Sequence, residues 1–230
     1  LEPASTPWRI TFDTNISLCN LNCVMCEGFS VYRPEEELAE QKKRKNKRIM
    51  NVKIIEETLA ACTAVTDHPL REIIPTMMGE PLLYKDFDKI LQLCKQHNLK
   101  LNLTTNGTFP KRGAKKWAQH IFPVASDVKI SWNGATKETM EDVMRGSKWE
   151  SRVKNLKEFL VAREEIGSTA TVTLQVFIHL CTVATYLRLY ESHSFQRQAT
   201  FLKRWIEELP DLVDFAIDHG IDRLKGHHLW

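Results

Sequence analysis

The stretch WRITFDTNISLCNLNCVMC, residues 8–26, decides the fold because it joins a strand-like segment directly to three cysteines. Cys19, Cys23 and Cys26 follow the spacing C-x3-C-x2-C within one short loop. A cubic iron–sulfur cluster held only by protein takes four cysteines, so three local thiolates leave one iron open. An open iron makes such a cluster a candidate reaction centre.

The cysteine spacing alone leaves a second kind of metal site open. Zinc sites close four ligands around one ion, commonly from two C-x2-C pairs or from cysteine together with histidine. A fourth ligand would come from farther along the chain, where Cys181, His227 and His228 are candidates. A structural metal knuckle in a non-catalytic scaffold is therefore the alternative to the cluster.

Strand-like and helix-like segments alternate along the rest of the chain. Apolar periodicity predicts helices over residues 52–65, 87–97, 149–166 and 209–219. Between them lie β-rich segments at residues 8–13, 72–78, 100–105, 127–132, 171–176 and 223–228. Since consecutive parallel strands need a helix-length crossover, this order predicts an α/β protein whose parallel sheet is either open or closed into most of a barrel.

Polar and glycine-containing motifs follow several of the predicted strands. In both architectures the chemistry gathers at the carboxyl ends of parallel strands. We therefore expect one edge of the sheet to collect the cysteine loop, Gly79-Glu80-Pro81, Asn106-Gly107 and Asn133-Gly134.

Composition describes an ordinary globular chain. Its 230 residues suit one large domain or two small ones, and 43% hydrophobic with 27% charged residues excludes a disordered composition. The net charge of +3 does not indicate a nucleic-acid partner. The longest apolar-leaning stretch, residues 172–187, is too short and too polar for a membrane span.

Cysteine usage predicts the compartment. Three of the six cysteines are crowded into the first loop, while Cys62 and Cys94 lie among apolar neighbours on helical segments. This distribution favours a metal site in a reducing compartment over secreted cross-links, so we expect a cytoplasmic protein.

Two stretches depart from the strand–helix scheme. Residues 34–50 form a charged insertion that ends in a basic run, which we interpret as solvated surface because acidic residues lie just upstream. Residues 177–205 form an atypical connection, longer than one crossover requires.

The cysteine spacing after the first strand, Gly-Glu-Pro after the second and the six β/α units together resemble the radical S-adenosylmethionine (radical SAM) superfamily. The resemblance spans nearly the whole chain and implies a single core domain over residues 1–230, folded as a partial (β/α)6 TIM-like barrel. It implies a [4Fe-4S] cluster on Cys19, Cys23 and Cys26, with S-adenosylmethionine chelating the fourth iron. Reductive cleavage of that cofactor would give a 5′-deoxyadenosyl radical that abstracts hydrogen from a substrate, in an oxidoreductase-like or peptide-modifying enzyme.

The resemblance also assigns residues to the cofactor. Gly79, Glu80 and Pro81 match the stretch that binds the methionine amino group, although Met78 replaces its first glycine. Met25 stands where the family usually has an aromatic residue whose backbone lies near the adenine. Methionine is soft and apolar enough to pack there, so the departure is mild.

Three further positions are assigned to the nucleoside side of the cofactor. Asn106 and Ser131 match positions that meet its ribose or carboxylate, while Asn-Gly is also a turn signal in its own right. Gln175 is a lone polar residue in an apolar strand, so it either touches the cofactor or is a hydrogen-bonded core amide. Arg145 resembles an arginine found after the fourth strand in peptide-modifying branches, or else it ends a helix.

Partners follow from the same resemblance. It implies a reductant such as ferredoxin or flavodoxin and a small-molecule or peptide substrate, with no membrane and no nucleic-acid partner. The most similar branch carries a C-terminal cysteine-rich (SPASM-like) domain for auxiliary clusters. No cysteine follows the sixth strand here, so we expect that domain to lie outside this sequence or to be lacking.

Overall fold

The computed structural model describes residues 6–26, 28–31, 35–36, 39–40, 48–66, 68–178 and 207–228. These residues form one parallel sheet in which neighbours in sequence are neighbours in space. Its strands are β1 (Arg9–Thr11), β2 (Glu72–Ile74), β3 (Lys100–Thr105), β4 (Ala125–Ser131), β5 (Thr171–Ile178) and β6 (Arg223–His228). The α/β prediction and the partial TIM-like barrel are confirmed.

Helices connect the strands throughout the described chain. They are α1 (Val52–Thr63), α2 (Phe87–Gln96), α3 (Ala114–Ile121), α4 (Lys137–Val143), α5 (Trp149–Ile166) and α6 (Leu209–Asp218), with a 3₁₀ turn at Pro81–Leu83. Sequence periodicity predicted four of these helices to within two residues, whereas α3 and α4 were not predicted. They are only 8 and 7 residues long, so a helical period repeats too few times in each to stand out in the sequence.

Four strands end at other residues than expected, among them β1 at Thr11 instead of residue 13 and β4 at Ser131 instead of residue 132. β2 stops at Ile74 instead of residue 78, because Pro75 has no N–H for the ladder and its carbonyl is taken by the Thr14 hydroxyl (2.6 Å). β5 continues to Ile178, pairing with β6 up to His228, so the first two residues of the predicted atypical connection are strand.

The remaining predictions for the irregular stretches fall largely outside the described residues. Residues 179–205 of the long connection and residues 34, 37–38 and 41–47 of the charged insertion are not among them. Within the described part of the chain, no helix is both long and apolar enough to cross a bilayer.

The two faces of the sheet differ in polarity. Alternate residues such as Ile73, Leu103 and Val128 are fully buried in the core against the helices. The opposite face carries a polar network near the amino ends of the strands, in which Glu72 accepts from Asn102 (3.2 Å) and from the Ser126 hydroxyl (2.6 Å). Polar groups thus satisfy each other inside the barrel, as buried polar groups must.

One side chain ties the amino ends of β5 and β6 to α5. Asp222, just before β6, accepts from the Val172 backbone N–H (2.7 Å) and pairs with the guanidinium of Arg163, which is 9% exposed. Removing this carboxylate leaves the buried Val172 N–H without its acceptor and takes away one of the two carboxylates that pair with Arg163, the other being Glu164.

We therefore expect Asp222→Ala to lower the free energy of unfolding by about 1–3 kcal/mol, measured by urea denaturation. Glu165→Ala is the control, because Glu165 forms only an exposed pair with Lys115 (2.9 Å) and should change stability by less than about 0.5 kcal/mol. Equal effects of the two variants would contradict the assigned role of Asp222.

Candidate functional site

The cysteine loop after β1 lies backbone against backbone on the loop after β2. The Glu80 N–H donates to the Leu18 carbonyl (2.8 Å), and the fully buried Asn15 amide donates to the Glu80 carbonyl (2.9 Å). Gly79 has φ +75°, and a Cβ there would overlap the Asn15 carbonyl and lie 2.7 Å from the Leu18 oxygen. Only glycine fits this contact, which fixes the first cysteine beside the Gly-Glu-Pro loop.

A second attachment comes from the end of α4. The Asn22 N–H donates to the Arg145 carbonyl and the Val24 N–H to the Val143 carbonyl, both at 2.9 Å. The Arg145 side chain pairs with Asp142 one turn earlier (3.2 Å), and both are partly exposed. The backbone of this segment therefore holds the cysteine loop, while the arginine side chain occupies a helix end.

Asn106, at the carboxyl end of β3, is brought to the first cysteine as the sequence predicted. Its amide nitrogen donates to the Asn20 oxygen (2.9 Å) and lies 3.8 Å from Cys19 Sγ. Its amide oxygen accepts from both the backbone and the hydroxyl of Thr108. A contact to a nucleoside would have to replace one of these hydrogen bonds, so the ligand role of Asn106 stays a prediction.

Glu80 is fully buried and its carboxylate joins the β2 loop to β3. One oxygen accepts from the Thr105 hydroxyl (2.7 Å) and the Leu82 N–H (3.2 Å), and the other accepts from the Asn106 N–H (2.7 Å). Burial raises the pKa of Glu80 to about 7, against the lowering effect of these donors and of Arg152. The second oxygen keeps capacity for one further donor, such as an ammonium group.

The other predicted residues surround the same strand ends. Ser131 is paired in register with Gln175, whose side chain is buried and whose carbonyl accepts from the Trp132 N–H (2.8 Å). Met25 is half-buried against the core, and Pro81 is buried at the start of the 3₁₀ turn. Their contacts with a cofactor stay predictions.

The cysteine thiols lie in a strongly desolvated place. Burial is the main cause that raises the pKa of Cys19 to about 11 and of Cys23 to about 12, and repulsion from Cys26 contributes to both shifts. The three sulfurs are thus close enough to feel each other's charge. Since cluster ligands are thiolates, loading the site removes protons and brings negative charge into a buried loop.

The alternative of a single structural ion gains no support from the described residues. Among them, no three His, Cys, Asp or Glu side chains are grouped tightly enough to hold one metal ion. A cubic cluster spreads its ligands farther apart, because each thiolate binds a different iron. Cys181 and the side chains of His227 and His228, the candidate fourth ligands, lie outside the described residues.

The sequence analysis missed Arg152, on the first turn of α5. Its side chain is 2% exposed; it donates to the Ser131 carbonyl and lies 5.0 Å from the centre of the Trp132 ring. A signal existed, because Arg152 falls on the buried stripe of α5 with Leu156 and Phe159. An arginine on an apolar stripe indicates a buried charge that needs a partner.

Comparison with known proteins gives one family. A family model described as the radical SAM superfamily matches residues 16–175, and no curated protein matches significantly. The fold is similar to that of SuiB from Streptococcus suis, at 19% identity and a TM-score of 0.61 over 98% of this chain and 40% of that chain. SuiB bound to its precursor peptide SuiA is 18% identical, with a TM-score of 0.62 over 97% of this chain and 40% of that chain. SuiB bound to S-adenosylmethionine is 18% identical, with a TM-score of 0.59 over 97% of this chain and 41% of that chain.

This chain therefore spans about two fifths of the length of SuiB, and identity at this level shows the fold alone. The family model covers most of the chain and includes the cysteine loop, the Gly-Glu-Pro loop and the ends of β3 and β4. By this match and by its six-stranded partial barrel, the chain belongs to the radical SAM superfamily, which uses a [4Fe-4S] cluster and S-adenosylmethionine.

Proposed function

We propose that this chain is the core of a radical SAM oxidoreductase that holds its cluster on Cys19, Cys23 and Cys26. The observation that carries the proposal is that the cysteine loop contacts Gly79, Glu80 and Asn106 at the carboxyl edge of the sheet, through a close backbone approach and hydrogen bonds. When bound, the cluster and S-adenosylmethionine supply a 5′-deoxyadenosyl radical that takes hydrogen from the substrate.

The chain's own residues bind and orient the cofactor in this proposal. Glu80 accepts the ammonium group of S-adenosylmethionine on its remaining lone pair, while Gly79 lets the backbone approach closely. Ser131 and Gln175 face the nucleoside in this proposal, because Ser131 ends β4 and is paired in register with Gln175 of β5. The half-buried Met25 packs against the adenine.

We propose a peptide as the substrate, with a small molecule as the alternative. The support is the likeness to SuiB, which has been seen with a precursor peptide, over nearly the whole of this chain. A ferredoxin or flavodoxin in the cytoplasm would supply the electron.

The test of this function is anaerobic reconstitution followed by reaction. We expect about four irons and four sulfides per chain. Dithionite plus S-adenosylmethionine should then yield 5′-deoxyadenosine, detected by chromatography. Stoichiometric zinc without any nucleoside product would instead support the metal-binding scaffold.

Cys23→Ala should abolish both the cluster and the cleavage, because it removes one of three thiolate ligands. Cys62→Ala is the matched control: Cys62 lies on α1, away from the loop, and its loss should leave iron content and 5′-deoxyadenosine unchanged. A cluster that survives Cys23→Ala would show that the ligands are wrongly assigned.

Glu80→Gln tests the carboxylate that joins the strand ends. Its three protein donors all need an acceptor, and an amide nitrogen placed against any of them is a second donor. We expect a loss of about 1–3 kcal/mol in the free energy of unfolding, together with weaker S-adenosylmethionine binding by calorimetry. Glu56→Gln, which removes only a partly exposed pair with Lys89 (2.7 Å), should change neither quantity appreciably. Equal effects of Glu80→Gln and Glu56→Gln would show that the assignment of Glu80 is wrong.

A further inference from the structure

Arg152 is a buried cation that the proposed reaction does not yet use. A guanidinium has five N–H donors, and in Arg152 one of the terminal nitrogens donates to the Ser131 carbonyl. Its Nε and Nη1 are buried and have no hydrogen-bond partner among the residues that the structure describes. Such a group is costly unless an anion completes it.

The contacts of Arg152 lie at the strand ends that meet the cysteine loop: it donates to the Ser131 carbonyl and lies beside Gly107, the neighbour of Asn106, whose amide nitrogen is 3.8 Å from Cys19 Sγ. Trp132 covers one side at 5.0 Å, and Gly107 leaves room on another, since a Cβ there would lie 3.2 Å from Nη1. Burial lowers the pKa of Arg152 to about 10, while attraction to Cys23 and Glu80 opposes that change. The side chain therefore stays charged at neutral pH and is electrostatically coupled to Cys23.

Two groups could supply the missing negative charge. The Glu80 oxygens are already hydrogen-bonded to Thr105, Leu82 and Asn106, and no hydrogen bond joins them to Arg152 among the described contacts. Cys23 is a thiolate whenever it ligates iron, so loading the site brings negative charge next to the guanidinium. Cys23 with its cluster is thus the better partner.

We propose that Arg152 is a positioning residue for the cluster: its guanidinium compensates the negative charge of the Cys23 thiolate and the bound iron–sulfur cluster, and so raises the cluster's reduction potential. Reduction adds one electron, taken from dithionite in the experiment below, and a fixed neighbouring cation stabilises the more negative reduced form. The inference rests on the proposed function, because it requires a cluster on these cysteines.

The test compares reconstituted chains by a dithionite titration followed by electron paramagnetic resonance, without S-adenosylmethionine. Arg152→Met removes charge and donors, Arg152→Gln removes the charge but keeps a donor for the Ser131 carbonyl, and Arg152→Lys keeps the charge. We expect both neutral variants to lower the equilibrium constant for reduction roughly tenfold, about 59 mV in midpoint potential. Arg152→Lys should stay near the parent value.

Arg163→Met is the matched control on the same helix. Arg163 is also buried, but it pairs with Asp222 about 16 Å farther along α5, beyond a Debye length from Arg152. We expect this variant to lose stability and to keep the parent midpoint potential. A merely structural role for Arg152 would likewise change stability and leave the potential alone.

The outcomes separate this inference from the proposed function. Failure of the parent chain to bind iron would overturn the proposed function itself. With iron bound, an unchanged midpoint in both neutral variants overturns only the role of Arg152, as does an equal shift in Arg163→Met. A shift that appears only when S-adenosylmethionine is added would assign the guanidinium to that cofactor and also overturn the inference. If Arg152→Met does not fold, Arg152→Gln decides.

Discussion

The close contact of two backbones at Gly79 is the constraint on which the site depends. The cysteine loop has little regular structure of its own, and its position comes from hydrogen bonds to the Gly-Glu-Pro loop. The positive φ of Gly79 and the lack of a Cβ permit an approach that any other residue would block. Through this contact the first cysteine is carried to the end of β3, where Asn106 meets it.

The two ends of the sheet differ in whether their buried polar groups have hydrogen-bond partners. Near the amino ends, the carboxylates of Glu72 and Asp127 accept hydrogen bonds from neighbouring side chains, and Asp127 also pairs with Arg223. These two buried carboxylates therefore have partners within the protein. Near the carboxyl ends lie desolvated thiols and donors of Arg152 that have no hydrogen-bond partner among the described residues. Buried groups that are left without partners at one end of a fold are the usual mark of a ligand site.

Much of the fold could be predicted from the sequence. All six strands were identified because each β-rich segment is separated from the next by a helix-length crossover. The ends of elements were less accessible: β2 stops at Pro75 because of a missing N–H, and β5 extends because β6 pairs with it up to His228. Helices α3 and α4 were not predicted, because they are only 8 and 7 residues long and their apolar stripes repeat too few times in the sequence.

The sequence by itself predicted Cys19, Cys23 and Cys26 as cluster ligands and identified the family, because C-x3-C-x2-C is a local spacing and the motifs follow strands in a fixed order. Only the tertiary structure decided how Glu80 and Asn106 are hydrogen-bonded, and that Arg152 is buried at the end of β4 on the same edge of the sheet. These facts depend on desolvation and on contacts between residues far apart in the chain. Local spacing can specify which atoms bind a metal, but packing alone specifies which charges surround it.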